Sequence, residues 1–354
     1  MPHLIVIATA LLVTLAATPV MRLAGSRLGI VAKAGGRHVH TGFVPRTGGV
    51  AIFLGFVSAV LVRYVGERLW GWPPALTLVG EPVLGVLAGL AIMFGVGLLD
   101  DAIDLTAGQK AAGQVIAALV AFAAGVRIEF VGNPFGGGLL LLGVLSLPVT
   151  LFWMVGFANV VNLIDGLDGL AAGVTAIAAV SLLVLAEESN QALASVLAAA
   201  LVGACVGFLR YNFNPASIFM GDSGALFLGF GLACIALLGV MKSVAAITLV
   251  VPLLIIGVPV FDTFSAIVRR SRHGRPFHEA DRGHIHHRLL GRGFSQRQTV
   301  LIIYVWSVAL AVGGYAMRWV APTFKILTFA VLAGLSGLMA YWLGLFEAAH
   351  HDDD

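Results

Sequence analysis

Long apolar runs separated by short polar breaks set the rhythm of this chain. They fall near residues 3–23, 48–65, 81–99, 110–127, 138–158, 169–186, 191–209, 223–240, 245–268, 299–317 and 324–345. Each approaches the ~20 residues that an α-helix needs to cross a bilayer. The pattern predicts an all-α polytopic membrane protein with eleven spans, forming one transmembrane domain over residues 1–354. Pro148, Pro252 and Pro259 lie inside runs, where proline kinks a spanning helix without ending it. Polar chemistry concentrates in the breaks near 24–47, 100–110, 159–169, 210–222 and 269–298.

Lysine and arginine give this arrangement a direction. With the N-terminus outside, only Arg63, Arg68, Arg127, Lys242, Arg318 and Lys325, six of the 21 basic residues, fall in outer segments. Cytoplasmic loops collect such residues, and eleven crossings place the C-terminus inside. The first run follows Met1-Pro2-His3 with no preceding positive charge, so it is expected to be a retained span and not a cleaved signal. The same orientation puts Asp100, Asp101, Asp104, Asp165, Asp168, Asp222, Asp262 and the histidines 284, 286 and 287 on the cytoplasmic side. Charge bias and acid placement are independent, and they agree on an inner-membrane protein whose chemistry faces the cytoplasm.

Composition supports the membrane assignment. Hydrophobic residues make up 59% of the chain and charged residues 11%, against roughly 25% charged in soluble proteins; mean hydropathy is +0.98. A net charge of +3 and a pI near 9.1 are too mild for a nucleic-acid partner, but they suit basic loops beside anionic lipid. Cys205 and Cys234 both sit in apolar runs, so neither a disulfide framework nor a thiolate metal site is expected. Monomer and homodimer both stay open.

An unpaired carboxylate costs about 3 kcal/mol in hydrocarbon even on lenient scales, so acids that abut apolar runs call for a reason. Asp100-Asp101 ends the third run. Like charges so close raise one another's pKa; either a divalent cation or a basic group relieves them, or the pair is a solvated helix end. Asn162, Asp165 and Asp168 recur at three-residue spacing, which a helix would place on one stripe. Gly166 and Gly169 would admit a ligand close to the backbone. Such oxygen ligands suit Mg²⁺ or Mn²⁺ and nucleotide hydroxyls, whereas the rival reading is a polar turn. In Asn212-Phe213-Asn214-Pro215 and Phe219-Met220-Gly221-Asp222, Asp222 either caps the next helix or binds a metal, with Phe219 beside it to stack on a base.

Residues 269–297 form a basic, histidine-rich loop with Arg282, His284, His286, His287 and Arg288. The histidine spacing is like that of zinc ligands, but no cysteine lies near. The arginines favour phosphate recognition, with a histidine to bind a diphosphate or move a proton; positive-inside bias alone also explains the arginines. Arg46, in Pro45-Arg46-Thr47-Gly48-Gly49, belongs to an anion-binding loop or to a basic juxtamembrane linker.

Taken in order from about Arg37 to Arg297, these motifs resemble the polyprenyl-phosphate N-acetylhexosamine-1-phosphate transferase family. Members move a sugar-1-phosphate from a UDP-sugar to undecaprenyl or another polyprenyl phosphate and release UMP. The resemblance implies Asp222 as Mg²⁺ ligand, with Asn162 at the metal. It makes Asp100 and Asp101 catalytic, Asp100 as base or nucleophile, and sets Lys110 near the phosphates. Asn162, Asp165, Asp168 and Asn212 would line the nucleotide site, Phe219 would stack on uracil, and Arg46 would serve substrate binding. His284, His286, His287 and Arg288 would hold the diphosphate, with His284 counted among the catalytic groups. Ile285 interrupts the histidines, and Asp104 stands where the peptidoglycan-precursor (MraY-type) branch carries a lysine. The chain therefore looks like the branch acting on UDP-GlcNAc and related amino sugars (WecA/TagO type). That branch starts cell-envelope polysaccharides such as O-antigen or teichoic-acid linkers.

Carriers usually hold their acids near mid-bilayer in broken helices. Here the acids stand at span ends on one side, which favours an enzyme. Phosphoryl transfer between a membrane phosphate and a soluble diphosphate needs positioning and charge neutralisation, and the cytoplasmic interface is where both substrates can meet.

Overall fold

A computed structural model describes residues 2–32, 44–77, 81–132, 138–240, 253–254, 257–272, 284–317, 319–320 and 322–345. Helix α1 (Pro2–Leu28) stops at Gly29, whose φ of +73° suits the left-handed position after a helix. There follow α2 (Gly48–Leu69), α3 (Glu81–Ile103) and α4 (Ala107–Ala123). Next come α5 (Ser146–Ile164), α6 (Leu170–Glu188), α7 (Ala192–Asn212) and α8 (Gly221–Val240). The chain continues with α9 (Gly257–Arg272), α10 (Ile285–Gly291), α11 (Gln296–Ala316) and α12 (Pro322–Trp342). Two of the starts are capping boxes written in the sequence, Thr106 with Gln109 for α4 and Ser295 with Gln298 for α11.

Among the described residues, eight helices are long and apolar enough to cross a membrane: α1, α2, α3, α5, α6, α7, α8 and α11. The protein is an all-α polytopic membrane protein, with two small hairpins as its only described strands. The first pairs β1 (Val31–Ala32) with β2 (Val44–Pro45), and the second pairs β3 (Phe130–Gly132) with β4 (Leu139–Leu141), both antiparallel.

The second hairpin corrects one expectation. The fifth span begins at Ser146 and not near 138, because Leu139–Leu141 spend their backbone bonds on β3. It also runs on to Ile164, which brings Asn162 into its last turn. Only the second half of the expected span 245–268 is described, as α9. Arg37, His38, His40, Lys242, Arg275, Asp281, Arg282 and the tail from His350 lie outside the described residues.

Helix α8 is the hub, packed by α2, α3, α5, α6 and α7. Its apolar residues cover every face, as an enclosed helix requires. The chain passes one end of this bundle repeatedly: α3, α5 and α7 finish there, and α2, α4, α6 and α8 start there. At the opposite end, His3 Nε2 lies 3.0 Å from Glu187 Oε1. There too Glu67 accepts the N–H groups of Leu76 and Thr77 and pairs with Arg63 at 3.0 Å. The bundle thus has two polar rims, and the predicted site residues share one of them.

Candidate functional site

Three backbone contacts assemble the rim. Gly48 N–H donates to Phe219 O at 2.9 Å, Gly49 N–H to Met220 O at 2.8 Å, and Phe219 N–H to Pro45 O at 2.8 Å. They seat the start of α2 against the start of α8 and bring Arg46 beside Gly221. Gly221 has φ +69°, and a Cβ there would lie 2.4 Å from Arg46 O and 2.5 Å from an Asp101 oxygen, so glycine alone fits.

The adjacent acids of α3 have different tasks. Asp101 is buried at 8% exposure. Its two oxygens accept Asp222 N–H at 2.8 Å and Ser223 N–H at 2.9 Å. It thereby satisfies donors in the first turn of α8 that have no partner within the helix. Asp100 turns the other way: Oδ1 accepts Leu105 N–H at 2.8 Å, and Oδ2 accepts from Lys110 Nζ at 2.8 Å. Lys110 Nζ also bonds Asp222 Oδ2, and Asn162 Nδ2 donates to Asp222 Oδ1 at 3.0 Å. Lys110 therefore sits between two carboxylates from separate helices and offsets part of their charge.

Asp165 is the residue after α5, and no stripe with Asn162 and Asp168 forms, because the helix ends at Ile164. Burial, reinforced by the charges of Asp222 and Asp101, pushes the Asp165 carboxyl up to about 8. Asp168 instead accepts Asn214 Nδ2 at 3.0 Å and Ala216 N–H at 2.9 Å, fixing the loop before Phe219. Asn212, 2% exposed, is spent on backbone, accepting Gly169 N–H and donating to Ile218 O, each at 3.0 Å.

The histidines arrive from the start of α10. His286 lies over Gly166, where a Cβ would be only 2.8 Å from Nε2, so this glycine admits a histidine of the same chain. The rings of His284 and His286 are parallel within 5°, and those of His286 and His287 are 4.3 Å apart. Ile285 points away and is 2% exposed. A cavity of about 280 Å³ opens between these elements. It is lined by Arg46, Lys110, Asn162, Asp165, Asp168, Asn212, Phe219, Asp222, His284, His286 and His287, together with Leu163, Gly166, Leu167 and Gly221.

Residues 83–240 match the family described as Glycosyl transferase family 4. A Bacillus subtilis protein named probable undecaprenyl-phosphate N-acetylglucosaminyl 1-phosphate transferase is 37% identical over 93% of this chain and 90% of its own length. The chain belongs to glycosyl transferase family 4. A Mycobacterium tuberculosis decaprenyl-phosphate N-acetylglucosaminephosphotransferase is 38% identical over 89% of this chain and 82% of its own. A phospho-N-acetylmuramoyl-pentapeptide-transferase of Desulforudis audaxviator is 35% identical over 89% of this chain and 98% of its own.

Within this family member, the structure brings most sequence-predicted residues to one cavity. Asp100 stands one hydrogen bond behind the lining, through Lys110. Asp101, expected to act beside Asp100, is turned inward to α8. Asn162, expected as a metal ligand, presents its amide nitrogen to Asp222 and so orients that carboxylate. Arg288 lies on α10 and is not among the lining residues. Sequence reasoning assigned no role to Asp262, which contacts His284; an acid inside an apolar run, ahead of a histidine cluster, was the available signal.

The oxygen-rich lining fits a hard cation. Among the described residues, no three His, Cys, Asp or Glu side chains come together as a self-sufficient metal site. Mg²⁺ typically takes one or two carboxylates and completes its shell with water and substrate phosphates.

Proposed function

We propose that this chain transfers an N-acetylhexosamine-1-phosphate, with GlcNAc-1-phosphate as the leading donor group, from a UDP-sugar to a polyprenyl phosphate such as undecaprenyl phosphate, and releases UMP. One observation carries the reading: the carboxylates of Asp165 and Asp222, the Lys110 ammonium and a histidine row, from four distant segments, surround one cavity at a single end of a membrane bundle. The relatives named for undecaprenyl- and decaprenyl-phosphate GlcNAc-1-phosphate transfer span nearly the whole chain and agree with it.

In this mechanism Asp222 would hold Mg²⁺ (or Mn²⁺), with water and the substrate phosphates completing its shell. The cation, when bound, would neutralise the donor diphosphate and stabilise the departing UMP phosphate. Lys110 moves between its two carboxylates and a diphosphate oxygen. Asp100, freed from that ion pair, takes the acceptor phosphate's proton, so that the acceptor oxygen attacks the sugar-bearing phosphorus and the bond to the UMP phosphate breaks. His284, His286 and His287 and Arg46 hold the diphosphate, and Phe219 supplies an aromatic face for uracil. Asn162 orients Asp222, and Asp101 holds the helix that carries it.

The eight long helices, the shorter apolar helices α4 and α12, and the apolar run near 245–268, of which α9 is the second half, would make up eleven crossings, N-terminus outside. In that orientation the positive-inside bias of the basic residues supports a site at the cytoplasmic face of the inner membrane, where UDP-sugar is available. The test is UMP release by the purified protein with undecaprenyl phosphate over a panel of UDP-sugars, with and without Mg²⁺. Consumption of UDP-GlcNAc upholds the assignment. The Desulforudis relative makes UDP-MurNAc-pentapeptide the rival donor in that panel, while substrate flux without UMP would identify a carrier.

A further inference from the structure

Asp262 is a buried acid that the mechanism above leaves unused. It lies in the second turn of α9 and is 2% exposed. It shares a small pocket with Ile164, Leu170, Val174, Val258, Ile285 and Ile303 and with the His286 ring, a largely apolar setting in which a carboxylate needs compensation. Both oxygens have partners. Oδ2 is 3.0 Å from His284 Nδ1, and Oδ1 accepts the N–H of Ile285 at 2.8 Å. His284 precedes α10 in extended conformation, and its own side chain makes no cap. One carboxylate from α9 therefore both starts α10 and grips the ring of its first histidine.

That grip has a chemical consequence. A carboxylate accepts only, so the proton between the two groups belongs to His284 Nδ1. Nε2 is then the nitrogen left for the cavity that His284 lines. The His286 ring lies parallel to it, with the ring centres 5.8 Å apart. An imidazolium with Asp262 behind it can meet a phosphate oxygen in front, each ring nitrogen donating to an anion.

We propose that Asp262 is a positioning residue of the transfer reaction: it fixes the ring of His284 so that Nε2 addresses the donor diphosphate, and it is the counter-ion that lets the ring stay charged there. The proposal rests on the phosphotransfer reading above.

The test is a double-mutant cycle on the purified full chain, reading UMP release from UDP-GlcNAc with undecaprenyl phosphate and Mg²⁺. Asp262→Asn keeps an acceptor for Ile285 N–H and removes the charge. It should lower turnover roughly 10–100-fold, as loss of an orienting partner behind a histidine does at metal sites, with an unchanged melting temperature. Because Asp262 acts through His284, adding Asp262→Asn to His284→Gln should change the rate by less than about threefold. Side-chain ¹⁵N spectra of histidine-labelled wild type, assigned with His284→Gln, should show His284 protonated at Nδ1, and they decide the matter if Asp262→Asn does not fold. A single-variant rate within about twofold of wild type, multiplying losses in the double variant, or a bare Nδ1 would overturn the proposal. If the wild type releases no UMP from any UDP-sugar, the phosphotransfer reading fails instead, and the spectra still report on the pair.

Discussion

Asp101 accepts the backbone N–H of Asp222 at 2.8 Å across 121 residues of sequence. The contact joins α3 to the first turn of α8 and separates the roles of two neighbouring acids. Asp101→Ala should cost about 1–2 kcal/mol of stability, the usual loss for a missing helix cap. Asp100→Asn, which keeps an acceptor for Leu105 N–H, should melt like wild type and bind donor while turnover collapses. Thermal melts and UMP release on the same preparations separate the two; a normal rate in Asp100→Asn would remove it as base.

Asp222 is where the cation requirement can be read. Asp222→Ala should abolish UMP release, and chelation of Mg²⁺ should do the same to the wild type. Full turnover by the variant would end the metal-ligand assignment.

Asp165 gives the protein a pH signature. Its carboxyl titrates at about 8 when folded and near 3.9 when unfolded, so the folded state binds the extra proton between these values. Stability in metal-free buffer should therefore be greatest at or below about pH 4 on account of this group, fall as pH rises toward about 8, and level off above. A cation bound nearby favours the ionised form, so Mg²⁺ binding at neutral pH should release protons. Calorimetry in buffers of different ionisation heat measures that release, and Asp165→Asn should reduce it and flatten the melting profile. An unchanged profile would show that the group titrates elsewhere.

Ile285 tests the branch argument. Replacing it with histidine would make residues 284–287 an unbroken run of four histidines, yet position 285 shares its surroundings with Ile164, Val174 and Ile303. We expect Ile285→His to destabilise by about 1–3 kcal/mol without conferring use of UDP-MurNAc-pentapeptide. A donor switch in the assay panel would show that the histidine count, and not the packing, selects the sugar.

The spans and the acids at their ends were legible because hydrophobic length and isolated charge are one-dimensional signals. The division of labour between Asp100 and Asp101 was not. Consecutive helical residues point about 100° apart, and only the packing of α3 on α8 decides which one faces inward. The stripe expected of Asn162, Asp165 and Asp168 failed at Ile164, although Gly166 and Gly169, the latter at φ +81°, are stop signals present in the sequence. Leu139–Leu141 looked like membrane helix from apolarity alone; the Pro134 and Gly136-Gly137-Gly138 run before them was the turn signal that argued for a hairpin. Asp262 and His284 stand 22 residues apart across a basic loop, and no local pattern links them.

Since Asp222 opens the most enclosed helix of the bundle, whatever it grips is referenced to the stiffest part of the molecule. Room for sugars of different size has to come from the outer arms instead, from Lys110 on α4 and the imidazoles at the head of α10. The rigid carboxylate and the more peripheral groups that face it therefore belong to different parts of the scaffold, joined at Lys110, which bonds both Asp222 and Asp100.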